Sequence, residues 1–69
     1  MSYNRRKVLR ALSRRGVVLL REGREHTVMI SEAGRQSTLP RHRDLDGRTV
    51  RAIVKQLGLD WREIEKDLT

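Results

Sequence analysis

The chain contains no cysteine, a single proline and only two aromatic residues, one Trp and one Tyr. The absence of cysteine excludes disulfides and thiolate metal ligands, and it is compatible with a reducing cytoplasm. Two histidines without a spaced set of carboxylates argue against a structural zinc site, so we expect neither a metal nor a cofactor. The scarcity of aromatic rings argues against proteins that read RNA by stacking its bases.

Long apolar runs are also missing. No stretch approaches the roughly 20 apolar residues that a membrane-spanning helix needs, and the first residues do not have the pattern of a secretory signal. A chain of 69 residues is close to the lower size limit for a domain that folds without disulfides or metals. We therefore expect one domain over residues 1–69, in the cytoplasm and without membrane contact.

Positive charge is abundant and unevenly distributed. The net charge is +7, yet residues 1–43 hold eleven basic and three acidic residues, whereas residues 44–69 hold five and six. Thirteen of the sixteen basic residues are arginine, whose forked guanidinium suits phosphate groups. This asymmetry predicts that the basic side binds a polyanion or an acidic partner. The alternative is that the basic residues form a solvated surface without a ligand.

Apolar periodicity and turn residues predict the element order α-β-β-β-α-α. Asn4 caps a first helix that Gly16 ends, and Asp46 caps a second that Gly58 ends. A polar connector precedes Asp46, and Asp60 begins a short last helix. The predicted elements are helix 4–15, strands 17–21, 25–31 and 36–39, helix 48–57 and a helix after residue 60. The predicted core consists of Val8, Leu9, Leu12, Val17, Leu19, Leu39, Val50, Ile53, Val54, Leu57 and Ile64.

His26 is the most informative residue. It follows the turn Glu22-Gly23-Arg24 at the start of the second predicted strand. Histidine is the side chain that most readily exchanges protons near neutral pH, so on a basic module it points to RNA cleavage as well as RNA binding. The second histidine, His42, lies in Pro40-Arg41-His42-Arg43, at the only proline-marked break.

Three stretches carry a resemblance to the HicA toxins, the mRNA interferases of bacterial HicA–HicB toxin–antitoxin pairs. Residues 23–26, Gly-Arg-Glu-His, are similar to the family's glycine turn into a strand-borne histidine. Residues 34–42, Gly-Arg-Gln-Ser-Thr-Leu-Pro-Arg-His, resemble its Gly-Arg-Arg-Ser-Val-x-Pro-Arg-His segment. Residues 51–59 resemble the ending of its second helix, Ile-Leu-Lys-Gln-Leu-Gly.

The resemblance implies an α+β fold related to double-stranded-RNA-binding domains, with a three-stranded antiparallel sheet and here an extra C-terminal helix. It implies a metal-independent endoribonuclease that cleaves mRNA, blocks translation and is neutralised by a HicB-like antitoxin. No direct DNA binding by this chain is expected. The family's catalytic histidine corresponds to His26. The candidate RNA-binding residues are Arg21, Arg24, Arg35, Arg41, His42, Arg43 and Lys55.

Several alternatives stay open in the sequence. The chain could be a non-catalytic module like a double-stranded-RNA-binding domain, or a pure interaction partner. His42 could be a second acid–base group, a substrate contact or a residue that shapes its loop. The basic residues of the first helix could contact phosphate or an acidic antitoxin. Strand alternation leaves undecided whether His26, Val28 and Ile30 or Thr27, Met29 and Ser31 face the helices.

Overall fold

Three helices and two small sheets make up the computed structural model, which describes residues 1–68. The elements follow in the order β1 (Ser2–Asn4), α1 (Arg5–Arg14), β2 (Val18–Glu22), β3 (His26–Ile30), β4 (Gln36–Pro40), β5 (Asp44–Asp46), α2 (Gly47–Gln56) and α3 (Trp61–Leu68). The fold class is the expected one: α+β, with flanking helices and an antiparallel sheet of order β2-β3-β4.

Helix boundaries follow the capping residues that the sequence indicated. The Asn4 side chain accepts hydrogen bonds from the backbone N–H groups of Arg6 and Lys7, and Asp46 accepts from Arg48 N–H. Gly16 and Gly58 have φ of 83° and 78°, the left-handed conformation expected after a helix. Both ends of α1 and α2 are therefore determined locally.

Alternation along β3 decides which face the helices cover. Thr27 and Met29 are fully buried, as is Leu39 of β4, whereas His26 is exposed. The helices contribute Val8, Leu12, Val50, Val54 and Ile64 to the same core, and Leu57, directly after α2, joins them. We call the helix-covered side the inner face and the other side, which carries His26, Val28 and Ile30, the outer face.

The predicted core is largely confirmed, with one error. Leu19 is 47% exposed, although its pairing with Met29 directs it to the inner face. It lies on an edge strand, beside an apolar hollow that also borders Leu9, Val17 and Met29 and that α1 does not fill. Leu9 is only half-buried. The buried apolar residues that were not predicted are Ala11, Met29, Leu45 and Leu68.

A second, two-stranded sheet was not predicted. The polar connector before Asp46 contains β5, which pairs antiparallel with β1 in the register Ser2–Asp46, Tyr3–Leu45 and Asn4–Asp44. Short polar segments carry little periodicity, so only the tertiary pairing reveals them. The third strand of the main sheet also extends one residue further than expected, because Pro40 pairs opposite His26 at an edge position.

No helix in the described part of the chain is long and apolar enough to cross a membrane.

Candidate functional site

His26 is the first residue of β3 and is exposed on the outer face. Its backbone is held on both sides: Gly23 N–H donates to the His26 carbonyl oxygen at 2.8 Å, and Arg41 N–H donates to the Glu25 carbonyl oxygen at 3.0 Å. The β2–β3 turn and the end of β4 are thereby joined at the histidine. The imidazole is accessible to solvent, and its backbone position is fixed.

A β-bulge in β2 brings Arg21 to the same face as His26. Leu19 pairs with Met29 and Arg21 pairs with Val28, the next residue of β3, so Leu20 is an extra residue without a partner. Strict alternation from Leu19 would have directed Arg21 to the inner face. The bulge instead sets Arg21 beside Val28 on the outer face, and Glu22 opposite Thr27 on the inner face.

An open hollow of about 590 Å³ surrounds His26 on the outer face. Its lining residues are Arg21, Gly23, Arg24, Glu25, His26, Val28 and Thr38. Within residues 1–68, neither Arg21 nor Arg24 forms an ion pair. The hollow therefore combines one imidazole with two guanidinium groups that form no ion pair and a single carboxylate, so its net charge suits an anionic substrate.

Two residues of the hollow were not selected from the sequence. Glu25 is its only carboxylate, and Thr38 adds a hydroxyl from β4 through its pairing with Val28. Glu25 directly precedes His26, so its adjacency was visible in the sequence. Thr38 gave no local signal, because only the β3–β4 register brings it to this face.

The loop 41–43 lies at the same end of the sheet. The Arg41 guanidinium donates to the Gly23 carbonyl oxygen at 3.0 Å, which anchors the loop to the His26 turn. At the other end of the loop, Arg5 N–H donates to the Arg43 carbonyl oxygen at 2.9 Å. Arg41, His42 and Arg43 are all exposed. Arg41 thus adjoins the histidine turn, and His42 and Arg43 continue the loop from there toward α1.

Arg35 and Lys55 are not brought together with His26. Arg35 follows the β3–β4 turn at the opposite end of the sheet, where its side chain lies against Gly58. Lys55 is exposed on α2, which packs on β4 from the inner side. Neither residue borders the hollow.

Arg5 supports the site from the inner face. Its guanidinium donates to Thr27 Oγ1 at 2.6 Å and to the Pro40 carbonyl oxygen at 3.2 Å, and it lies 3.6 Å from Glu22 Oε1. These partners belong to three adjacent strands at the end of the sheet that carries His26. Although the sequence grouped Arg5 with a solvent-facing basic surface, its side chain is only 18% exposed.

Among residues 1–68, no group of three or more His, Cys, Asp or Glu side chains is arranged to hold a metal ion.

A comparison with protein families finds a match to this chain. The model described as the HicA toxin of bacterial toxin–antitoxin systems matches residues 5–59, from the start of α1 to just beyond α2. The matched segment contains the whole β2-β3-β4 sheet, the hollow and the loop 41–43. Neither the curated proteins nor the solved structures provide a match.

Proposed function

The chain belongs to the HicA toxin family, and from this premise we propose that it is an endoribonuclease that cleaves mRNA and blocks translation. Membership makes it the toxin of a toxin–antitoxin pair and implies a cognate antitoxin. The observation that best supports the nuclease proposal is the exposure of His26 in a hollow whose other charged groups include Arg21 and Arg24.

The proposed reaction uses the ribose 2′-hydroxyl as nucleophile. His26 takes the 2′-hydroxyl proton, the 2′-oxygen attacks phosphorus, and the bond from phosphorus to the 5′-oxygen breaks. The leaving 5′-oxygen then takes a proton, either from the protonated imidazole or through water. No step of this sequence requires a metal ion, so we expect cleavage to continue in the presence of EDTA.

Arginines supply the electrostatic part of the proposal. Arg21 and Arg24 border the hollow that holds His26, so their guanidinium groups can bind the phosphate that is attacked and stabilise the charge that develops on it. Arg41, His42 and Arg43 would contact the RNA next to the phosphate that is attacked. Arg35 and Lys55, if they bind RNA, would contact it away from the bond that is cut.

The outer face also suggests how the antitoxin silences the toxin. Val28 and Ile30 share the face of His26, and Val18 pairs with Ile30 and is 58% exposed. Val28 and Ile30 are half-buried, and apolar side chains left partly open to solvent on the face of a reactive group are typical of a surface that a partner covers. We propose that the antitoxin covers this strip and thereby closes the hollow.

Replacing His26 tests the nuclease proposal. We expect His26→Ala to lower the cleavage rate by about 10²–10⁴-fold, the usual contribution of a general base, and to abolish growth arrest on induction. Because His26 is exposed, the free energy of unfolding should change little. The measurements are cleavage of a labelled transcript in EDTA, growth after induction with and without the antitoxin, and denaturant unfolding.

His42→Ala is the matched control, since it removes the other exposed imidazole. We expect weaker RNA binding with nearly unchanged turnover, because His42 lies on the loop outside the hollow. Full cleavage by a folded His26→Ala protein would contradict the assignment of His26 as the catalytic base. RNA binding without any cleavage by the protein with native His26 would instead favour a non-catalytic RNA-binding module. Loss of turnover with normal binding in His42→Ala would make His42 a second acid–base group.

A further inference from the structure

A second cationic depression lies on the helix side of the molecule, and we call it the α1 cleft. It has a volume of about 730 Å³ and is lined by Asn4, Arg5, Arg6, Lys7, Arg10 and Arg43. Five of these six residues are basic and none is acidic. It is separate from the hollow around His26, with which it shares no lining residue.

Four of the five cations of the α1 cleft lack counter-charges among residues 1–68; the fifth, Arg5, pairs with Glu22. Within the described residues, Arg6, Lys7, Arg10 and Arg43 form no ion pair. In contrast, Arg14 at the end of α1 and Arg15 directly after it pair with Asp67 and Glu63 of α3. The basic residues at the end of this helix are therefore neutralised, whereas Arg6, Lys7 and Arg10 of its first turns are not. Uncompensated like charges around one depression repel each other, and a bound polyanion would relieve that repulsion.

Backbone amides do not contribute to this cleft. The Arg6 and Lys7 N–H groups donate to the Asn4 side chain, and Arg5 N–H donates to the Arg43 carbonyl oxygen. An anion in the α1 cleft would therefore be bound by side chains. Guanidinium and ammonium groups on flexible stems suit repeated phosphates better than a single enclosed ion.

The loop 41–43 connects the two cationic surfaces. Arg41 is bonded to Gly23 and Glu25 of the His26 turn, and Arg43 is bonded to Arg5 at the α1 cleft. All three loop residues are exposed, so basic or potentially basic groups continue from one surface to the other. Because the described residues extend over only 26 × 25 × 17 Å, a short RNA segment can reach both.

We propose that the α1 cleft binds the sugar–phosphate backbone of the RNA on one side of the bond that His26 cuts. Arg6, Lys7, Arg10 and Arg43 contact phosphates there, and the loop 41–43 guides the strand from the hollow to the cleft. This inference rests on the proposed function for its ligand, RNA. The continuity of the cationic path with the hollow favours a polymer charged at every unit over an acidic protein surface.

The test measures binding separately from cleavage. All proteins are full-length and carry His26→Ala, so that a labelled single-stranded RNA stays intact during titrations at several salt concentrations. The test variant adds Arg6→Gln, Lys7→Gln and Arg10→Gln. The control adds Arg48→Gln, Arg62→Gln and Lys66→Gln, which remove the same charge from exposed positions on α2 and α3. Circular dichroism verifies that each protein is folded.

We expect the test variant to bind RNA more weakly and the slope of log affinity against log salt to fall by about 2, since each lost single-strand phosphate contact removes roughly 0.7. The control should keep the slope of the reference protein. Equal losses in both variants would mean a non-specific charge effect and overturn the proposal. The proposal would also be overturned if the reference protein did not bind RNA. The same holds if the test variant kept the slope of the reference protein but no longer bound the antitoxin.

The two proposals fail separately. If the protein with native His26 does not cleave RNA but the test variant has a smaller salt slope of RNA binding, the nuclease proposal fails and the proposal for the α1 cleft is kept. If RNA is cleaved but the test variant keeps the salt slope of the reference protein, the proposal for the α1 cleft fails and the nuclease proposal is kept.

Discussion

At the residue scale, Arg5 shows how one basic side chain can serve the fold instead of a ligand. Its guanidinium reaches under the sheet to Thr27 Oγ1 and the Pro40 carbonyl oxygen, with Glu22 within ion-pair distance. Thr27 is fully buried, and its hydroxyl also donates to Glu22 Oε1 at 3.3 Å. This polar cluster joins β2, β3 and β4 directly beneath the position of His26.

Removing the guanidinium of Arg5 should destabilise the protein. Arg5→Met keeps a long side chain but leaves the buried Thr27 hydroxyl without its charged donor, and hydrogen bonds to charged groups contribute about 1.5–3 kcal/mol. We expect the free energy of unfolding in urea to fall by roughly that amount. Arg6→Met, at an exposed neighbour, should change it by no more than about 0.5 kcal/mol. Equal effects of the two substitutions would show that the cluster adds no stability.

At the element scale, β2 departs from regular alternation. Its bulge at Leu20 accommodates five residues opposite the four-residue segment Thr27–Ile30 and returns Arg21 to the outer face. A regular strand would have sent Arg21 inward and turned Glu22 away from Arg5. The bulge therefore serves both the outer hollow and the inner polar cluster.

Two single-residue deletions in β2 distinguish the effect of the bulge on cleavage from the effect of Arg21. Deleting Leu20 leaves Val18, Leu19, Arg21 and Glu22 in strict alternation with their present partners, so the fold and RNA cleavage should be kept. Deleting Arg21 gives a regular strand of the same length but removes the cation from the hollow. We expect cleavage by that variant to fall roughly tenfold or more, as the loss of about 1.4 kcal/mol of transition-state binding would cause. The measurements are kcat/KM on a short RNA and the unfolding midpoint.

A contrary result would be equally clear. If both deletions lowered cleavage to the same extent while both proteins remained folded, the bulge itself would matter and Arg21 would not be the phosphate contact.

At the scale of the whole molecule, segments outside the family match complete the core. The match covers residues 5–59, yet Ile64 and Leu68 of α3 are buried in the same cluster as the sheet. Arg14 of α1 and Arg15, which directly follows it, pair with Glu63 and Asp67 of α3. Trp61 contacts Tyr3 of β1 edge-to-face at 5.9 Å between ring centroids. We propose that residues 1–69 fold as one domain, with α3 an integral part of it.

Truncating Ile64 tests that integration. Ile64 is fully buried, so Ile64→Ala should cost about 2–5 kcal/mol through lost burial and the cavity left behind. For a domain this small we expect much of the protein to unfold, with sheet and helices melting in one transition. Lys66→Ala, on the exposed side of the same helix, should leave the melting temperature nearly unchanged. A small loss for Ile64→Ala, or melting of α3 before the sheet, would contradict the proposal.

Apolar periodicity, capping residues and turn residues were sufficient to predict the helices and the three-stranded sheet from the sequence. Val50, Ile53, Val54 and Leu57 recur at helical spacing, and Asn4, Asp46 and the two left-handed glycines mark the ends. These signals are local, since each depends on residues within one or two turns of the chain. The family resemblance at residues 23–26, 34–42 and 51–59 was likewise readable in the sequence, and the match over residues 5–59 confirms it.

The sequence by itself determined the order of the helices and of the three strands of the main sheet, the family and the histidine on which the proposed chemistry depends. Only the tertiary structure decided that His26 is on the open face, that Arg21 joins it through a bulge and that Arg5 turns inward. It also decided which basic residues of α1 are paired and which are free. The physical reason is that strand register, bulges and ion pairs between helices depend on contacts between distant residues, and neither composition nor periodicity records them.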